Sequence, residues 1–419
     1  MYDVIVIGAG AAGMMAAGVA ARAGRRVLVV EKMEKTGRKI RISGKGRCNV
    51  TNTKPREEFL EHVRANAAFF EPSLRSFDNR AVPSFFRKLG VKLVEERGDR
   101  LYPESGKAWD VADALADWAK DEGDCEIMLN TRVVGLVVVA GRVRGVRIVT
   151  KKGYPRNIEA ANVIIATGGV SYPLTGSTGD GYLWAHDAGH RIEEVRPALV
   201  PLVAGGDAAA VVQKLVGVHL KNVAVQLVVD DEVVQEEFGE MDFTGRGLDG
   251  AVVLRVSRRA VDALIDGRTV ELVIDLKSAL TPEMLAERIE REIADLPEDG
   301  TCGELMRKLL PRPMVEPFAE MTGIRLRDYV SRLTDEQRGR LIALLKEWRL
   351  PVADYRPFEE AIVTAGGVSC EDVDPETLQS RRVRGLYFAG EVLDIDGDTG
   401  GYNIQIALST GSLAGRLKE

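Results

Sequence analysis

The chain has 419 residues, 45% hydrophobic and 29% charged, a balance that fits a folded globular protein and excludes a largely disordered one. A formal net charge of −6 leaves no basic excess for gripping phosphate backbones, so nucleic acid is not expected as the main partner. Four cysteines (Cys48, Cys125, Cys302, Cys370) with no CxxC exclude zinc and thioredoxin-type spacings and suit a reducing cytoplasm, while 43 glycines against 16 prolines point to tight turns and close backbone approaches.

Tyr2 to Gly8 reads as a short strand, Ala11 to Ala23 as an Ala-rich helix that Gly24 ends, and Arg26 to Val30 as a second strand, together a βαβ unit. The uncharged run Val4 to Ala21 has the length of a membrane helix, but four glycines interrupt it and Asp3 precedes it. Neither export nor membrane spanning is therefore expected. Val-rich strands without alternation predict a parallel sheet buried on both faces, extended by Arg132–Val139, Arg142–Thr150 and Asn162–Ala166. From 196 to 280 alternating strands such as Val223–Val229 and Thr269–Ile274 predict a separate β-rich domain. Thr281-Pro282-Glu283 and the capping box Thr334–Gln337 predict a helical domain over 281–354, with the two prolines of 350–357 marking its end. The chain then returns through a strand at 385–390 to a terminal helix at 403–417, so 1–195 and 355–419 form one discontinuous domain.

The chemistry sits in Gly-rich blocks. Gly8-Ala9-Gly10-Ala11-Ala12-Gly13 lies between strand and helix, where Gly8 allows a tight turn, Gly10 lets backbone approach a pyrophosphate, and Gly13 lets helix pack on strand. The helix N-terminus offers its N–H groups to the phosphates. Glu31, about 20 residues beyond the glycines at the end of the second strand, is placed for ribose hydroxyls. A nicotinamide dinucleotide could use the same loop, so a flavin is argued from the far end of the chain. There Gly390-Glu391 follows a strand, with Glu391 placed for a ribityl chain. Gly400-Gly401-Tyr402-Asn403-Ile404 opens a helix whose N–H groups suit the N1–C2=O edge of a flavin.

A second Gly-rich loop, Ser43-Gly44-Lys45-Gly46-Arg47-Cys48-Asn49, follows the basic residues Lys35, Arg38, Lys39 and Arg41, whose charge would offset a pyrophosphate; Lys35 and Arg41 themselves read as solvated. Ala166-Thr167-Gly168-Gly169 ends an apolar strand in small residues, as a neighbouring cofactor would require, and Gly179 and Gly181 read as turn residues.

These segments together resemble the BaiN-like family of NAD(P)/FAD-dependent oxidoreductases, on GRKIRISGKGRCNVTN (37–52), ATGGVSYPLTGSTGDGY (166–182), TAGGVS (364–369) and GLYFAGEVLDIDGDTGGYNIQIALSTG (385–411). The resemblance implies an α/β protein with a Rossmann-like FAD-binding domain and inserted β-barrel-like and helical regions. It also implies non-covalent FAD held by the residues above, with Lys32 added and with Val134 entering by its backbone beside the adenine. The expected function is a reductase that passes a hydride from NAD(P)H through FAD to a small molecule. The alternatives are a flavin-dependent RNA-modifying enzyme and an FAD-binding protein without turnover. The family's loop FTHxGLSGP reads Phe243-Thr-Gly-Arg-Gly-Leu-Asp-Gly250 here, so a role for that histidine does not transfer, and His62, His186, His190 and His219 read as ordinary polar or core residues. No catalytic acid and no metal ligand is assigned.

Overall fold

The computed structural model describes residues 1–150 and 153–418 and divides into two units, Met1–Pro197 with Phe358–Glu419, and Ala198–Pro357. In the first unit five strands run parallel in the order Cys125–Met128, Val27–Val30, Tyr2–Ile7, Pro155–Ile165, Leu386–Phe388. Val4 to Ile7 and Val27 to Val30 are buried throughout, as strands covered on both faces must be.

The sheet is not parallel across its whole width. Thr131–Val139 and Arg142–Thr150 pair antiparallel, and the latter pairs antiparallel with the early half of Pro155–Ile165. Only two residues join them, Ala140 and Gly141, both with positive φ (50° and 69°). Such a connection makes a hairpin, whereas a parallel neighbour needs a crossover of about a dozen residues or more.

The stretch from 56 to 121 holds four helices, Arg56–Glu61, Ala67–Ser76, Ala81–Lys88 and Ala108–Asp121. Small residues let the other helices approach closely. A Cβ on Gly18 of the helix Ala11–Arg22 would lie 2.2 Å from the Trp118 ring, and one on Gly411 of the terminal helix Tyr402–Ala414 would lie 2.3 Å from the Ala12 carbonyl oxygen. The second contact joins the two ends of the chain backbone to backbone.

In the second unit six strands close a barrel in the order Leu202–Ala204, Gly247–Asp249, Glu232–Thr244, His219–Val229, Val270–Asp275, Trp348–Tyr355. The last of these lies in the stretch whose prolines mark a break in the sequence reading. It is a full strand that pairs with Val270–Asp275 and Leu202–Ala204, and Pro351 is accommodated with its carbonyl accepting from Gly205. The helices Pro282–Ala294, Cys302–Leu309, Arg312–Thr322 and Asp335–Lys346 share one hydrophobic core with the barrel. Trp348 sits at that junction, its ring 5.7 Å from Phe243 and 5.1 Å from Phe318. The predicted boundary at 280/281 is thus no break in the core. Among the described residues no helix is long and apolar enough to cross a membrane.

Candidate functional site

At the mouth of the parallel sheet, in the first unit, three sequence-distant Gly loops meet. Gly8 has φ +102°, and a Cβ on it would lie 2.5 Å from the Ala166 carbonyl oxygen; one on Gly13 would lie 1.9 Å from the Gly8 carbonyl oxygen. Gly10 faces open space instead, which is what a close-approaching anion requires. Helical hydrogen bonding begins with Met14 N donating to Gly10 O, and no side chain caps the turn of Ala11, Ala12 and Gly13. Gly390 abuts Ala12, its Cβ position being 2.8 Å from that of Ala12.

The same construction recurs at the terminal helix. Gly401 has φ +98°, and a Cβ there would lie 2.5 Å from the Thr51 carbonyl carbon. Again no side chain caps the first turn, it contains no acid, and the first helical bond is Gln405 N to Gly401 O. Asn403 spends its side chain on the preceding loop, accepting from Gly397 N (2.9 Å) and donating to Gly397 O (2.7 Å) and Asp398 O (3.1 Å). Tyr402 is buried and stacks on His62 (4.6 Å between centroids), and Ile404 packs against the core.

Glu31 braces the first loop, accepting from Ala9 N (2.8 Å) and Met33 N (2.8 Å), which leaves further lone pairs for ribose hydroxyls. Lys32 ties the same strand end to the loop at 178–180, donating to Thr178 Oγ1 (2.5 Å) and Asp180 Oδ2 (2.8 Å). Val134 is exposed on the neighbouring strand.

Glu391 is spoken for by the protein. One oxygen accepts from Thr364 N (2.7 Å) and Ser171 Oγ (2.9 Å), the other from Lys39 Nζ (2.8 Å). Burial pushes its carboxyl up, but Lys39 and these hydrogen bonds outweigh burial and hold it below the ordinary carboxylate range. Gly168, at φ +71°, passes beside this cluster, and a Cβ on Gly169 would strike the Thr364 hydroxyl at 2.4 Å. Sequence reasoning missed Ser171 and Thr364 as partners, although both lie in the blocks that carry the family resemblance.

In the second Gly-rich loop the helix Arg38–Gly46 breaks at Ser43, Gly44 and Lys45, and Gly37 N donates to Ala9 O, bringing this segment to the first loop. Gly46 faces open space. Asn49 Oδ1 is buried without a hydrogen-bond partner among the described residues, an acceptor that asks for a ligand donor. Two of the expected FAD contacts have protein partners: Arg38 bonds Glu34 (2.6 Å) and the Leu174 carbonyl (3.0 Å), and Arg47 pairs with Glu96 while lying over the Tyr102 ring. Burial pushes the Cys48 thiol up to about 12, so it is no ready nucleophile.

Gly181 does not shape a turn. It lies within the helix Asp180–Asp187, where a Cβ would come 2.2 Å from Thr167 Oγ1. Of the histidines, His190 is buried between Ala185 O and Ser380 Oγ, with burial holding its pKa down, and His186 is exposed beside Asp187. His219 bonds Asp242 in the barrel, and His62 bonds Asp398 in the first unit. Among the described residues no cluster of His, Cys, Asp or Glu is arranged to hold a metal.

The residues present fit FAD: two uncapped helix N-termini, glycines whose Cβ positions are filled by neighbouring backbone, and a buried acceptor without a donor. A family described as the HI0933-like protein Rossmann domain matches residues 2–417. The chain is 33% identical to the 3-dehydro-bile acid delta(4,6)-reductase of Clostridium scindens, over 99% of this chain and 98% of the relative. It is 30% identical to the ribosomal RNA dihydrouridine synthase of Escherichia coli, over 98% and 96%. Among solved structures it is similar in fold to a 3-ketosteroid delta1-dehydrogenase from Sterolibacterium denitrificans (TM-score 0.55, 16% identity, 99% of this chain and 98% of that one). The chain belongs to the HI0933-like Rossmann-domain family, in keeping with the BaiN-like resemblance, and is an FAD-dependent oxidoreductase.

Proposed function

We propose that this protein is a reductase that saturates a carbon–carbon double bond conjugated to a carbonyl in a small molecule, with NAD(P)H as a transient electron donor. The observation that carries this reading is near-full-length similarity to two reductive activities, on a 3-oxo-4,6-diene and on the uracil ring, whose shared chemistry is that conjugated bond. When bound, FAD supplies two-electron hydride chemistry. The chain's own part is to hold the pyrophosphate on the turn Gly8–Gly13 and to seat the adenosine ribose on Glu31. The uncapped N-terminus of the helix Tyr402–Ala414 would offer its N–H groups to the part of the flavin where negative charge gathers on reduction. GxGxxG occurs twice, at Gly8–Gly13 and at Gly245–Gly250, but the second lies on antiparallel strands of the barrel and not in a βαβ unit. It marks no second dinucleotide domain, and the nicotinamide would have to use the flavin face in passing. Anaerobic stopped-flow reduction by NADH and NADPH, followed by reoxidation with a 3-oxo-4-ene steroid, tests this. Flavin that neither donor reduces would instead mark an FAD-binding protein without turnover.

The similarity to an RNA-modifying synthase favours a second reading, reduction of uridine in RNA. The net charge of −6 weighs against it, and a uridine-containing RNA oligomer in the same assay separates the two.

Two expected results follow from the site. Acid precipitation releases yellow FAD into the supernatant, because Cys48 is buried and held as the thiol; colour in the pellet would refute non-covalent binding. Asn403→Pro removes an N–H from the first turn as well as the side-chain ties, whereas Asn403→Ala removes only the ties. The proline variant should therefore have a midpoint potential lower than the alanine variant, on the order of 10 mV for a helix-end effect of about half a kcal/mol. Equal potentials in two FAD-loaded variants would leave the helix start without electrostatic influence.

A further inference from the structure

A charged cluster outside the expected site lies at the base of the terminal helix. Asp398, three residues before Gly401, has a side chain only 2% exposed, and it accepts from Arg64 Nε (2.7 Å), from Arg64 Nη2 and from His62 Nδ1 (2.8 Å). Its backbone is held as firmly: Asp398 N donates to His62 O (2.9 Å), and its carbonyl accepts from Asn403 Nδ2 (3.1 Å). The segment 397–401 is thus pinned by side chains from residues 62–64 and 403, and Tyr402 stacks on the same His62 ring.

A buried carboxylate at this point is electrostatically awkward. A helix N-terminus that receives growing negative charge is helped by cations and hindered by a bare anion. Arg64 resolves the conflict by pairing in a two-point, charge-assisted geometry. We propose that Arg64 and Asp398 are a charge-balanced positioning pair: Asp398 fixes the helix start, and Arg64 cancels the field that Asp398 would otherwise impose on the flavin's potential. This rests on the assignment of the terminal helix to the flavin's N1–C2=O edge.

The pair makes a prediction about sign that simple loosening does not. Removing Arg64 takes a positive charge from beside the helix start, and Asp398→Asn takes a negative one from the same place. At pH 8, Arg64→Gln should lower the midpoint potential of the bound FAD and Asp398→Asn should raise it. Each shift should correspond to about a tenfold change in the reduction equilibrium, about 30 mV for a two-electron couple. The double variant should return toward wild type, and Arg64→Lys, which keeps the charge, should stay within about threefold of it. A merely structural role would move both single variants the same way, since each frees the same segment.

The measurement is a dye-equilibrated redox titration of the purified FAD-loaded proteins, with flavin content recorded for each. Opposite shifts support the proposal. Shifts of the same sign, or none, overturn it, and so does loss of FAD from Asp398→Asn. If Arg64→Gln fails to fold, Arg64→Lys against Asp398→Asn carries the comparison: an unchanged potential beside a raised one supports the pair, and any other result overturns it. Opposite shifts in a protein that reduces no conjugated carbonyl would leave this inference standing and remove the proposed substrate class.

Discussion

Gly13→Leu should purify without flavin. Its Cβ would fall 1.9 Å from the Gly8 carbonyl oxygen and 3.4 Å from the Ala166 Cβ, so it meets backbone that cannot swing aside. Overpacking of this kind costs about 1–3 kcal/mol or more, and about 2 kcal/mol taken from the turn lowers cofactor affinity roughly 30-fold. The strain falls on the turn that brings the uncapped N–H groups to the phosphates, so the loss should appear first in flavin content, read from the ratio of flavin to protein absorbance. Glu31→Ala should keep more flavin than Gly13→Leu, because it removes two braces from the loop without adding bulk. A Gly13→Leu protein with a full complement of FAD would exclude Gly8–Gly13 as the phosphate loop.

The parts of this molecule legible in the sequence are those whose physics is local. Gly8, Gly10 and Gly13 announce themselves because a tight turn, a close ligand approach and a helix–strand contact all fall within six residues. The caps at Thr281 and Thr334 are also local, each side chain accepting from the third N–H onward, and both stand in the structure. The capping box Thr301–Glu304 had the same kind of signal and starts the helix Cys302–Leu309.

What was hidden depends on long-range pairing. Trp348–Tyr355 contains a proline and follows four helices, so nothing nearby marks it as the strand that closes the barrel; its partners are Leu202–Ala204 and Val270–Asp275. The grip of Arg64 on Asp398 spans 334 positions and leaves no periodic trace. Glu391 shows the limit within a motif: its place after a strand suggests a cofactor acid, but its partners Lys39, Ser171 and Thr364 come from three other segments. The antiparallel course of Arg142–Thr150 was recoverable, since Ala140-Gly141 is too short for anything but a hairpin.

Those partners make Lys39→Met the second large effect. The Lys39 and Glu391 side chains are 29% and 19% exposed, so the pair is neither a free surface bridge nor a fully buried one. Surface pairs contribute about 0–1 kcal/mol and breaking a buried pair costs about 3–5, which places this loss at about 1–3 kcal/mol. At roughly 2–4 °C per kcal/mol for a unit of this size, Tm should drop by about 2–12 °C at neutral pH. The pH dependence identifies the cause. In the wild type the Glu391 carboxyl is held below its unfolded value, so its contribution is present above the unfolded pKa and is lost as pH falls through the folded one. Without Lys39, burial is no longer outweighed by its largest opponent. The folded value then rises, and the variant loses stability as pH climbs past the ordinary carboxylate range. The Tm gap between wild type and Lys39→Met should therefore be widest near pH 7–8 and narrow toward pH 4. Lys39→Met with Glu391→Gln should recover part of the loss at pH 7.5, because an amide leaves no buried charge to neutralise. A gap that stays constant from pH 4 to pH 8 would show that Lys39 acts through its packing and not through the carboxylate.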